Sequence, residues 1–230
     1  MFTPLPPVEP IARNLQCQAP PESEGDVMVW FVDLYTEARG EADRLPDEPE
    51  AGWFDRWARQ DRFQPKIKPE WYKDFPSVVF VDSKNTALLD VIGIGGMCVS
   101  EKFRTAVERF EPGVHDFLPL ELRYGSRKSY DAHQYYYFHI CRYVTSINAE
   151  RSNLTRGETK IPGKGSIPLL AKKRNLPVVV NQEAVAGMHL WQEDGPVQAV
   201  GGFFISDELY QAFVECGLST DLRIEEQLTS

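Results

Sequence analysis

The side chains of this 230-residue chain best suited to chemistry are four histidines, His115, His133, His139 and His189, and four cysteines, Cys17, Cys98, Cys141 and Cys216. No two histidines stand four apart, and no two cysteines enclose just two residues. Structural zinc sites draw their ligands from such close pairs, so no metal is expected. His139 and Cys141 share one strand parity, an arrangement in which an imidazole can activate a thiol. A hydrogen-bonded strand histidine beside a small buried hydrophobe is the plainer reading and is the one adopted. Carboxylates are abundant, but no spacing sets two of them in an apolar setting that would split their acidities for acid–base work. Gly93-Ile94-Gly95-Gly96 lacks the third spaced glycine of a dinucleotide loop, and Gly163-Lys164-Gly165-Ser166 has Glu158 where a P-loop requires glycine. No catalytic residue, cofactor or metal ligand is assigned, and the chain is read as no enzyme.

Charge is the stronger signal. The net charge is −9, divided unevenly: residues 1–50 carry −8, residues 183–230 carry −8, and residues 51–182 carry +7. Acidic ends repel nucleic acid and attract a basic protein partner. The basic centre sustains an alternative, a nucleic-acid or phosphate-ligand binding protein. Trp53, Phe54, Trp57, Phe63, Trp71, Tyr72 and Phe75 interleave there with basic residues, and further basic residues run from Arg156 to Arg174. Few, widely spaced cysteines fit a reducing compartment, and neither a signal peptide nor an 18-residue apolar run is present. A cytoplasmic protein without membrane contact is expected.

The elements that must position any site follow from periodicity. Residues 1–75 read as an irregular, proline-rich N-terminal arm with one strand at Val27 to Leu34 and the aromatic segment, and residues 76–230 as one α+β domain. Within the latter, Met97-Cys98-Val99-Ser100-Glu101 and Phe203-Phe204-Ile205-Ser206-Asp207 each lead a short strand into a serine and an acid, the signature of a capped helix. Phe103, Ala106, Val107 and Phe110 then repeat as Leu209, Ala212, Phe213 and Cys216, and Gly113 or Gly217 follows. A duplicated strand–helix–strand unit is expected, its two amphipathic helices packed on a mixed or mostly antiparallel sheet. Tyr135 to Tyr143 is expected as a central strand, residues 151–177 as a long basic loop, and Met188 to Val200 as a hairpin turning at Asp194-Gly195, with Glu193 and Asp194 exposed at its tip.

These motifs, in this order, carry a resemblance. Asp90-Val91-Ile92, Val99-Ser100-Glu101-Lys102, His115-Asp116-Phe117-Leu118-Pro119-Leu120, Tyr135 to Val144, Ile147-Asn148-Ala149-Glu150-Arg151-Ser152 and Phe204-Ile205-Ser206-Asp207-Glu208-Leu209 resemble family eleven of the bacterial polymorphic-toxin immunity proteins over roughly residues 75–225. The resemblance implies an immunity protein that binds and neutralises a cognate toxin's catalytic domain in the cytoplasm. On that reading, Glu193, Asp194, Asp221, Glu225 and Glu226 are expected to meet a basic toxin surface, with Trp191 or Trp53 as aromatic anchors.

Overall fold

Both serines cap their helices as expected. In the computed structural model, β4 (Met97–Ser100) runs into α1 (Glu101–Phe110), and β12 (Gly202–Ser206) runs into α2 (Asp207–Glu215). The Ser100 and Ser206 hydroxyls accept the N–H groups of Phe103 and Leu209, each at 3.3 Å. Both glycines adopt the left-handed backbone that closes a helix, with φ of +67° at Gly113 and +62° at Gly217. Phe103, Ala106 and Val107 are buried in α1, and Leu209, Ala212 and Phe213 in α2; Cys216, expected on the same stripe, is exposed. The structure describes residues 28–33, 66–67, 69–75, 77–82, 88–93, 97–126, 129–161, 165–172, 176–194, 202–218 and 223–230.

The remaining strands are β1 (Val29–Asp33), β2 (Val78–Asp82), β3 (Val91–Gly93), β5 (Asp116–Ser126), β6 (Ser129–His139), β7 (Tyr143–Val144), β8 (Leu154–Ile161), β9 (Gly165–Lys172), β10 (Val179–Val180), β11 (Leu190–Glu193) and β13 (Arg223–Thr229). They form an α+β fold with mixed sheets. One sheet has the order β2-β5-β6-β4-β3, and the other β10-β13-β1-β12-β11-β7. The expected central strand is β6, held between β5 and β4, although it ends at His139.

The repeat extends well beyond strand, helix and strand. Five strands of the second sheet match those of the first one for one, including the sense of every pairing: β2 with β5 and β10 with β13 are parallel, and the others are antiparallel. Individual hydrogen bonds recur. Ser100 N–H reaches Asp90 O at 2.9 Å, as Ser206 N–H reaches His189 O at 3.0 Å; Glu121 N–H reaches Ser77 O at 2.8 Å, as Leu228 N–H reaches Val178 O at 3.1 Å. One difference is topological. The first sheet takes its middle strand, β6, from the chain just after β5, whereas the second takes β1 from far upstream. A side chain on β1 therefore belongs, in space, with the C-terminal half.

The helices join the halves. Each helix end meets the start of the other unit: Lys102 Nζ donates to Gly217 O at 3.2 Å, and the Phe110 ring lies 5.0 Å from that of His189. One apolar cluster unites Val99, Tyr136 and Phe138 of the first sheet with Val32, Phe203 and Ile205 of the second through Phe103, Leu209 and Phe213. Separate clusters cover the far face of each sheet.

Residues 151–177, expected as a loop, contain an antiparallel ribbon instead, with β8 and β9 in register from Leu154↔Lys172 to Ile161↔Gly165. Their charges and glycines conceal a threonine- and isoleucine-bearing run whose backbone groups are satisfied by mutual pairing. The ribbon belongs to neither large sheet and has no counterpart among the described residues of the first half.

Candidate functional site

The sequence-derived contact residues scatter once placed. Trp191 is fully buried, its indole N–H donating to Ser146 Oγ at 3.1 Å and its ring stacked 5.7 Å from Phe204. It is a core residue and offers no anchor to a partner. Glu193, expected at an exposed tip, is only 7% exposed. Its carboxylate accepts the Ser146 N–H at 2.9 Å, the Ser146 hydroxyl at 2.5 Å and the Ile147 N–H at 3.3 Å. Strand β11 pairs with β12, Leu190 opposite Ile205 and Trp191 opposite Phe204, and with β7 on its other side, so the acid lies under the β7 exit. Asp194 is exposed, as are Glu226 and, in part, Glu225 on β13. Trp53 and Asp221 lie outside the described residues.

Burial raises the Glu193 carboxyl above its ordinary value, and the Ser146 and Ile147 hydrogen bonds only partly oppose it. A carboxyl raised on folding adds stability that is fully present below its unfolded pKa, about 4.3, and is lost as pH rises through the higher folded value. Glu193→Gln is expected to remove this pH-dependent increment. Measured from roughly pH 4 to 7, the urea midpoint of the parent should fall relative to that of the variant as pH rises. Parallel midpoint curves would show that Glu193 does not titrate differently on folding.

The structure buries His139 at the end of β6 and places Cys141, expected on the same strand, two residues beyond it and half-buried. The Cys141 thiol contacts its neighbour's backbone, 3.5 Å from His139 O, and burial pushes it up to about 12. A thiol so protonated is no activated nucleophile at neutral pH. His115 makes a tight imidazole contact: Nε2 lies 2.5 Å from Glu111 Oε2, while Nδ1 accepts the Cys141 N–H at 3.2 Å. The Nδ1 acceptor role places the proton on Nε2, donating to the carboxylate. Glu111 Oε1 also accepts from Arg142 Nη1 and from the His189 N–H at 2.6 Å. The group is sealed, with side-chain exposure of 0% for His115 and 3% for Glu111. It bonds the end of α1 to the entry of β11 rather than facing a substrate. Among the described residues no three His, Cys, Asp or Glu side chains converge as metal ligands, and no helix is long and apolar enough to cross a membrane.

What the fold does assemble at the surface is a patch that includes one expected residue and three others. Trp30 on β1 pairs with Glu226 on β13 and Ile205 on β12, so the three share a sheet face. Tyr210 of α2 stacks on Trp30 with centroids 4.0 Å apart and planes inclined by 24°. The Trp30 indole N–H donates to Asp207 Oδ1 at 2.9 Å, and Gln211 Nε2 to the same atom at 3.4 Å. Trp30, Tyr210 and Asp207 are half-buried and Glu226 is exposed. Asp194 is not part of this patch: it lies beyond β11, three strand spacings or about 14 Å from β13 across the sheet. Sequence reading took Asp207 for a helix-capping acid and Trp30 for a strand residue of the arm, because the pairing that joins them spans most of the chain.

The family model described as an immunity protein family, Imm11, matches residues 31–223. No curated protein matches the chain.

Proposed function

Since the chain belongs to the Imm11 immunity protein family, we propose that it binds a cognate bacterial toxin domain in the cytoplasm and neutralises it by covering the toxin's active or substrate-binding surface. The family match carries this reading, because residues 31–223 run from within β1 to the first residue of β13 and take in every element between them. Such a protein acts by occupying a surface and needs no chemistry of its own. The net charge of −9 supports a basic partner. Toxin domains that handle nucleic acid or phosphate-bearing cofactors present basic clefts, which an acidic protein finds quickly by electrostatic steering and can then block. Of the acids considered, Asp194, Glu225 and Glu226 have the exposure for this role, and Asp207 joins them.

The test takes the C-terminal domain encoded by the neighbouring upstream reading frame and expresses it with and without this chain; toxicity of that domain alone is the first expected result. Restored growth and a stable complex are expected. Undiminished toxicity together with no binding at low salt would refute the immunity reading. Reversing Asp194 and Glu226 to lysine together should slow association about tenfold at low salt and flatten its salt dependence. An unchanged association rate would place the contact on another face.

A further inference from the structure

The two halves hold the same aromatic position with different occupants. Tyr136 on β6 pairs with Val99, and Trp30 on β1 pairs with Ile205; each partner immediately precedes a cap serine. Four residues beyond the serines stand Arg104 in α1 and Tyr210 in α2. In the first half the Arg104 guanidinium carbon sits 4.7 Å from the Tyr136 ring centre, donates to the Tyr136 hydroxyl at 3.0 Å, and pairs with Glu101 at 3.4 Å. A ring beside the first acid of the helix is thus a seat for a guanidinium, and the chain fills that seat itself.

In the second half the ring and the acid are kept, as Trp30 and Asp207, but tyrosine replaces the arginine. A second carboxylate is added. Glu226 stands opposite Trp30, where the first half has Pro119 opposite Tyr136. Among the described residues no lysine or arginine pairs with Asp207 or Glu226.

We propose that Trp30, Tyr210, Asp207 and Glu226 form the interaction surface that receives an arginine or lysine side chain of a basic protein partner. Tyr210 takes against Trp30 the place that Arg104 takes against Tyr136, so the cation lies at the outer edge of the stacked pair, drawn there by the Asp207 and Glu226 carboxylates. Charge complementarity selects this occupant: an aromatic pair flanked by two acids attracts a cation and repels phosphate. Large, half-buried aromatic side chains also supply the contact area on which interface hot spots are built. The proposal rests on the immunity reading, since the partner is then the toxin domain.

The experiment measures the affinity of the neighbouring gene's toxic domain for the full-length parent, for Glu226→Gln and for Tyr210→Arg. Tyr210→Arg gives the chain its own guanidinium over Trp30, copying the first half, and so occupies the seat. Glu226→Gln should weaken binding about tenfold and Tyr210→Arg about thirtyfold or more. Glu150→Gln, an exposed acid of the loop before β8, should bind as the parent does. In the 15N-labelled parent, the Trp30 indole N–H resonance, assigned with Trp30→Phe, should shift on complex formation. Parent-like affinity of both patch variants with an unmoved Trp30 signal overturns the patch and leaves the immunity reading intact. Equal weakening by Glu150→Gln, the mark of a diffuse field, overturns the patch as well. No binding by the parent overturns both. If Tyr210→Arg does not fold, Glu226→Gln and the Trp30 signal decide the matter.

Discussion

Glu111→Ala is expected to cost about 3–5 kcal/mol of folding stability, the toll of leaving buried charge without its partner. Glu111 is the C-cap of α1, yet its carboxylate works for the other half of the molecule. It accepts the N–H groups of His189 at 2.6 Å and Leu190 at 3.3 Å, which open β11, and it holds Arg142 at the exit of β6. Removing it strands two backbone donors, a guanidinium and the His115 N–H together. Burial alone would raise this carboxyl. The hydrogen bonds from His115 and the His189 N–H, with the charge of Arg142, outweigh it and hold the carboxyl below its ordinary value. A depressed carboxyl contributes stability above its unfolded pKa that is lost as pH falls through the folded one. Urea denaturation at neutral pH should show the full loss for Glu111→Ala, and the gap to the parent should narrow in acid. A loss below about 1 kcal/mol would mean that water replaces every partner.

Phe103→Ala is expected to cost a similar amount, about 3–5 kcal/mol, or a fall in melting temperature of about 10 °C. Phe103 is fully buried, stacked 5.0 Å from Phe213 of the other helix and edge-on to Phe138 at 5.2 Å. Its cavity would open where α1, α2 and both sheets meet, a place that cannot collapse without moving one half against the other. Calorimetry measures the loss. A double-mutant cycle with Phe213→Leu should give a coupling of about 0.5 kcal/mol or more. Additive effects would show that the helices pack independently.

Local chemistry was legible from the residues alone. The serine and acid before each apolar stripe announced both helices, and the glycines marked where they stop, since caps and periodicity are settled within a turn or two. The duplication was visible for the same reason. What escaped was decided across long separations. Glu193 looks like a turn acid until Ser146, 47 residues upstream, closes over it. Trp191 looks like an anchor until its indole finds the same hydroxyl. The ribbon at β8 and β9 was concealed because charge, glycine and proline dominate its composition while its stability comes from register. The patch around Trp30 was least legible of all, as its four residues come from β1, α2 and β13.

That origin has a consequence in time. Strand β1 is synthesised before every other described strand, yet both of its neighbours, β12 and β13, come after all the rest. Pairings so distant close slowly, because the loop entropy must be met before the contacts reward it. The surface that carries Trp30, Asp207, Tyr210 and Glu226 therefore exists only once β1, α2 and β13 have come together in one folded chain. A nascent or clipped copy that lacks β12, α2 and β13, even one with its first sheet fully folded, does not assemble it.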